Sequence, residues 1–126
     1  MKKLAFAMTM IAAPAMAQDA AEGRWTTQPT DTGSYGIVEI TPCGAHLCGD
    51  LVEAYDASGA SVDAAVGTRI ITDMGIDGGG AYSGGKIYAP DRDKTYNSKM
   101  ALDGDVLMVS GCVFGICRDQ TWTRAE

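Results

Sequence analysis

The chain has 126 residues, of which 16 are Gly, 46% are hydrophobic and 21% are charged, with a formal net charge of −6. That length allows a single domain, since independently folding domains run to about 100–150 residues, and the apolar content excludes wholesale disorder. Ten Lys and Arg against sixteen Asp and Glu argue against nucleic acid or an anionic membrane surface as partner, because both are held by clustered cations.

Met1-Lys2-Lys3 is a basic start, Leu4–Ala13 an apolar run, and Pro14 is followed by the small-residue pattern Ala15-Met16-Ala17. This is the layout of a bacterial secretory signal with cleavage after Ala17, leaving residues 18–126 as one domain. The run is too short for a spanning helix, which needs roughly 20 residues. No Cys follows the cleavage point to carry a lipid. The mature chain is expected in the periplasm or outside the cell, and not across a membrane.

Beyond the signal, short runs rich in Val, Ile, Thr, Tyr and Trp alternate with Gly, Asp, Asn and Pro clusters, the pattern of all-β structure. Strands are predicted near 22–28, 35–42, 48–55, 68–73, 82–88, 95–102, 106–112 and 117–124. Asp103-Gly104 reads as a type I′ hairpin turn, whose two central positions both take positive φ, and Asp77-Gly78-Gly79-Gly80 as a flexible turn. The long link Asp56–Val66 reads as a lid or a loose helical turn. Eight sequential antiparallel strands close into an up-and-down barrel, which leaves no exposed edge; an open sandwich is the competing architecture.

In an oxidising compartment Cys43, Cys48, Cys112 and Cys117 read as disulfides. Counting alone leaves three connectivities. Local pairs Cys43–Cys48 and Cys112–Cys117 are favoured because each flanks a hairpin loop, and directly opposed residues come to about 4.5 Å. Zinc is the rival reading, disfavoured by the Cys spacing and the compartment, and no metal or other cofactor is expected.

Opposing Cys112 to Cys117 sends Leu107, Val109, Gly111, Arg118, Gln120 and Trp122 to one face, with polar Ser110, Asp119, Thr121 and Thr123 on the other. The first face is therefore inner. The same arithmetic on Cys43 and Cys48 sends Val38, Ile40, Leu51, Glu53 and Tyr55 inward. On the sixth strand it is Tyr96, Ser98, Met100 and Leu102 that face in. The odd-numbered connections rim one mouth, and His46 lies at the other end. The last strand ends beside the first, which places Arg124 near Trp25.

The segments Glu22-Gly23-Arg24-Trp25, Val38-Glu39-Ile40-Thr41-Pro42-Cys43-Gly44, Leu47-Cys48-Gly49, Gly84-Gly85-Lys86-Ile87-Tyr88-Ala89-Pro90, Lys94-Thr95-Tyr96, Gly111-Cys112-Val113 and Cys117–Arg124 resemble an exported bacterial family, domain of unknown function 2147. The resemblance implies a small lipocalin-like, calycin-type barrel and supplies no catalytic residue. Two mouth segments depart from the family pattern: Ala57–Val66 is short, and Pro90-Asp91-Arg92-Asp93 carries Asp where Gly is usual. Gly23-Arg24-Trp25 is also similar to the Gly-x-Trp of lipocalin first strands, where a basic residue of the last strand, here Arg124, covers the Trp.

His46 is the single histidine and lies away from the predicted mouth, and oxidised cysteines leave no thiol nucleophile. No catalytic residue is assigned and no enzyme activity is expected. Polar residues predicted to face inward stand out: Glu53, Arg118 and Gln120, near Tyr55, Tyr96 and Trp122. Either Glu53 and Arg118 neutralise one another, or Arg118 anchors the anionic end of a small amphipathic ligand whose apolar part lies along Trp122, Met100 and Leu107. Phe114 is an apolar residue at a hairpin tip. It either packs under the long loop or contacts a protein partner, in which case the barrel is a filled interaction module.

Overall fold

The computed structural model describes residues 18–125; the secretory-signal reading falls on residues 1–17 and lies outside them. The strands are β1 Gly23–Thr26, β2 Tyr35–Cys43, β3 His46–Tyr55, β4 Arg69–Gly78, β5 Ala81–Ala89, β6 Lys94–Asp103, β7 Val106–Val113 and β8 Ile116–Arg124. Each pairs antiparallel with the next, and β8 returns to β1, so the sheet is a closed up-and-down barrel rather than an open sandwich.

The hairpins hold the register. In β7–β8, Cys112 opposes Cys117 and Leu107 opposes Trp122, as the parity argument predicts. Both disulfides are local, Cys43–Cys48 and Cys112–Cys117, with Cα separations of 5.4 and 4.1 Å. The first crosses the ladder diagonally. Cys43 opposes His46 and Cys48 opposes Thr41, so the turn is Gly44-Ala45 and not the expected four-residue loop. A register offset of two residues conserves the side-chain period, so Val38, Ile40 and Leu51 still face inward. The β6–β7 turn is also displaced by one residue from the prediction. Asp103 pairs with Val106, and Gly104 at φ 59° occupies the first central position, where a II′ turn requires glycine.

β4 continues to Gly78, well past the predicted end near residue 73, and its ladder with β5 runs to the Gly79-Gly80 turn. The link after Tyr55 contains no helix. It is a strap held by backbone bonds, with Val62 N–H donating to Ala54 and Gly67 N–H to Leu51, both to carbonyl oxygens.

One end of the barrel is packed solid. Trp25, Leu47, Met74, Met100, Leu107 and Trp122 are buried there, and the segment before β1 crosses beneath them. Asp19 accepts a hydrogen bond from the Tyr82 hydroxyl at 2.6 Å, and the Ala21 carbonyl accepts one from the Trp25 indole at 2.9 Å. Burial and the bond to Asp19 both push the Tyr82 phenol above its ordinary value. The Arg124 guanidinium lies 4.1 Å over the Trp25 ring and donates to the carbonyls of Glu22 and Ala20. The expected Trp25–Arg124 lock is therefore in place, at the outer margin of the closed end rather than in the interior.

β1 and β8 pair only at Trp25–Arg124 and Thr26–Thr123. Towards the other end the seam is continued by a side chain, with Gln28 Oε1 accepting the Thr121 N–H at 2.9 Å.

Candidate ligand cavity

Opposite the packed end, the β1–β2, β3–β4, β5–β6 and β7–β8 connections surround a cavity of about 660 Å³. The barrel is thus not filled throughout, and the mouth lies where strand parity put it. Pockets of this size accommodate one small organic molecule. Its inner wall is apolar: Val38 from β2, Leu51 and Ala54 from β3, Ile70 from β4, Ile87 from β5 and Tyr96 from β6, with Val62 and Ala65 supplied by the strap. A shallower groove of about 370 Å³ along the β1–β8 seam shares Thr27, Gln28, Pro29 and Tyr35 with it.

At the floor of the cavity one level of the wall carries a glycine. Gly111 lies on the inner face between Ser98 of β6 and Arg118 of β8. Below that row Val109, Leu107 and Trp122 close the barrel. Ser98 is 5% exposed, and its hydroxyl has no hydrogen-bond partner among the described residues. Sequence parity found its inward direction but not its unpartnered state.

Two of the predicted polar residues line this space. Arg118 and Gln120 lie on the inner face of β8, two residues apart, opposite Gly111 and Val109. No ion pair or hydrogen bond engages the Arg118 guanidinium among the described residues. The cavity's other cation, Arg92, is at the rim with the Asp91 carboxylate 4.0 Å away. Tyr96 lines the wall as expected.

Glu53 is placed differently. A β-bulge between Ile37 and Val38 of β2 makes Leu51 the partner of Val38 and Glu53 the partner of Ile37, which reverses the alternation beyond Leu51. Glu53 therefore faces outward, where its carboxylate accepts from Arg24 at 2.6 Å and from the Tyr55 hydroxyl. The bond to Glu53 pushes the Tyr55 phenol above its ordinary value. Glu53 neutralises Arg24, not Arg118.

Tyr55 also leaves the inner face, yet its ring stacks on Tyr35 at 5.2 Å and the two border the mouth. Ala54 takes the inward position that parity assigned to its neighbours. The signal for this bulge is Gly36, the second residue of β2, because a Cβ there would stand 2.6 Å from the Glu53 carbonyl oxygen and the Leu51 side chain.

Trp122 is 1% exposed and does not line the cavity, and neither do Met100 or Leu107; all three belong to the packed end beneath it. Trp122 touches the site indirectly, its indole N–H donating to Gln120 Oε1 at 3.0 Å. Phe114 does not pack under the strap. It is 99% exposed at φ 50° in the Phe114-Gly115 turn, beside exposed Val113 and Ile116. His46, the first residue of β3, bonds Asp73 at 2.8 Å near the packed end, away from the cavity.

No curated protein matches the chain. A solved structure titled "Protein HP1028 from the human pathogen Helicobacter pylori belongs to the lipocalin family" superposes on 83% of this chain and 82% of its own, with TM-score 0.68 and 19% identity. At that identity the likeness establishes the lipocalin-like fold alone. The family model described as "Uncharacterized protein conserved in bacteria (DUF2147)" spans residues 23–124, from the first residue of β1 to the last of β8. The barrel with its two stapled hairpins is thus the body of that match, and the chain belongs to the DUF2147 family.

Proposed function

We propose that this is an exported, non-catalytic carrier that binds one small amphipathic molecule, anionic at its polar end, inside the barrel. The observation that carries this reading is an open, apolar-walled cavity of about 660 Å³ with an unpaired guanidinium, Arg118, on its wall. Arg118 is exposed at the open side of the cavity, where an anionic ligand gains a charge-assisted hydrogen bond to a guanidinium that no side chain engages. The lipocalin-like fold is compatible with such a role. The two local disulfides suit an oxidising compartment. The non-catalytic part is supported by the position of His46 outside the cavity and by the engagement of all four cysteines.

The test is native mass spectrometry of protein purified from its exported fraction, followed by solvent extraction. A stoichiometric co-purifying molecule that is displaced on Arg118→Glu supports the carrier. An empty protein that also takes up no apolar fluorescent probe sinks it.

Exposed Val113, Phe114 and Ile116 at the mouth favour a second reading, contact with an envelope protein through this hairpin. On that reading Phe114→Ser removes a defined partner from a cross-linking profile and leaves the melting temperature unchanged; an unaltered profile refutes it.

A further inference from the structure

The hydrogen bond beneath the cavity determines the chemistry of its wall. The indole nitrogen of Trp122 is only ever a donor, so the Gln120 atom it meets at 3.0 Å is the amide oxygen. With Oε1 held from below, the other end of the Gln120 amide, the NH2 group, is left for the cavity that Gln120 lines. No other side-chain hydrogen bond to Gln120 occurs among the described residues. Two residues along the same face of β8 stands Arg118, which is wholly donor and equally unengaged. The inner face of β8 therefore offers the cavity two exposed donor groups, a guanidinium and an amide NH2, while the Asp119 carboxylate between them in sequence borders the cavity from the outer face and accepts from the Ser110 hydroxyl.

We infer that Gln120 and Arg118 together select a monocarboxylate, and that Trp122 is a positioning residue that makes Gln120 a donor. This rests on the carrier reading above and specifies its ligand. A carboxylate matches the pair in charge and in number of oxygens, its two oxygens accepting from one guanidinium and one amide. A phosphonate or sulfonate carries a third oxygen, and the surroundings on offer are apolar: Val109 below, Ile87 and Val38 across the cavity. An alcohol brings one oxygen and no charge to an uncompensated guanidinium. The acidic chain, with Asp31 and Asp91 at the mouth, opposes multiply charged anions further. The apolar tail then runs towards the mouth along Leu51, Ala54 and Ile70.

Isothermal titration of the mature protein with decanoate, 1-decanol and decylphosphonate separates these claims. Decanoate is expected to bind about tenfold or more tighter than either of the others. Gln120→Leu should bring decanoate close to decanol without weakening decanol. Trp122→Phe, which removes the indole N–H, should lower the decanoate-to-decanol ratio by about threefold or more while decanol affinity holds, a pattern that general loosening of the core would not produce. Equal affinity for decanoate and decanol in the native protein overturns the monocarboxylate assignment and leaves the carrier intact. A preference unchanged in Gln120→Leu and Trp122→Phe overturns the donor mechanism. Failure of all three probes to bind overturns the carrier reading as well.

Discussion

Arg124 is the residue on which the end of the barrel closes. It lies over Trp25, donates to two carbonyls of the segment crossing the floor, and has the Asp105 carboxylate 3.7 Å away. A guanidinium over an indole contributes about 0.5–2 kcal/mol, and a charged donor to a carbonyl about 1.5–3 kcal/mol. Contacts within one cluster do not add, so Arg124→Ala is expected to cost about 2–4 kcal/mol in urea denaturation. Arg124→Lys should recover less than half, because an ammonium cannot stack and fork at once. This lock was legible in the sequence, since strand order alone brings the end of β8 beside β1. The direction of Glu53 was not. It depends on one extra residue in β3, and the spacing of Val, Leu and Ile along the strand reads the same with or without a bulge.

At the scale of elements, the hairpins differ in how much they disclose. The β7–β8 register followed from the cysteine spacing because Cys112 and Cys117 are directly opposed. The β2–β3 register did not, because a disulfide also tolerates a diagonal pair at a Cα separation of 5.4 Å. The strap is held by its own side chains. Asp56 Oδ1 accepts from the Ser58 N–H, the Ser58 hydroxyl and the Ala60 N–H, at 2.6–3.0 Å. The Ser58 hydroxyl first, then the backbone donors, hold the Asp56 carboxyl below its ordinary value. A depressed carboxyl stabilises the fold above its unfolded value of 3.8, and that contribution is lost as pH falls through the folded value. Asp56→Ala should therefore speed amide exchange at Val62, which bonds Ala54 on the cavity wall, at neutral pH. The wild-type strap should loosen in the same way only in acid. Equal exchange in variant and wild type at neutral pH would show that the turn does not hold the strap.

For the molecule as a whole, stability at high pH turns on the packed end. Tyr82 is 4% exposed, and its phenol is raised from an ordinary value of 10.0. Its neutral form is favoured in the folded state, so this contribution is complete below about pH 10 and is lost as pH rises through the folded value. The melting temperature should fall as pH rises from about 9 to about 11, and the Tyr82→Phe variant should show a shallower fall. Parallel slopes for the two proteins would place the alkaline sensitivity elsewhere.

The sequence by itself determined the strand count, the closed meander, the local disulfides and the inward faces of β6, β7 and β8. These follow from a period of two and from short-range pairing, both of which are local. Only the tertiary structure decided how far the interior is filled. Whether Trp122 lines a cavity or lies beneath it depends on how side chains from all eight strands divide one enclosed volume. Whether Arg118 is paired depends on a bulge that turned Glu53 to the opposite face of the sheet.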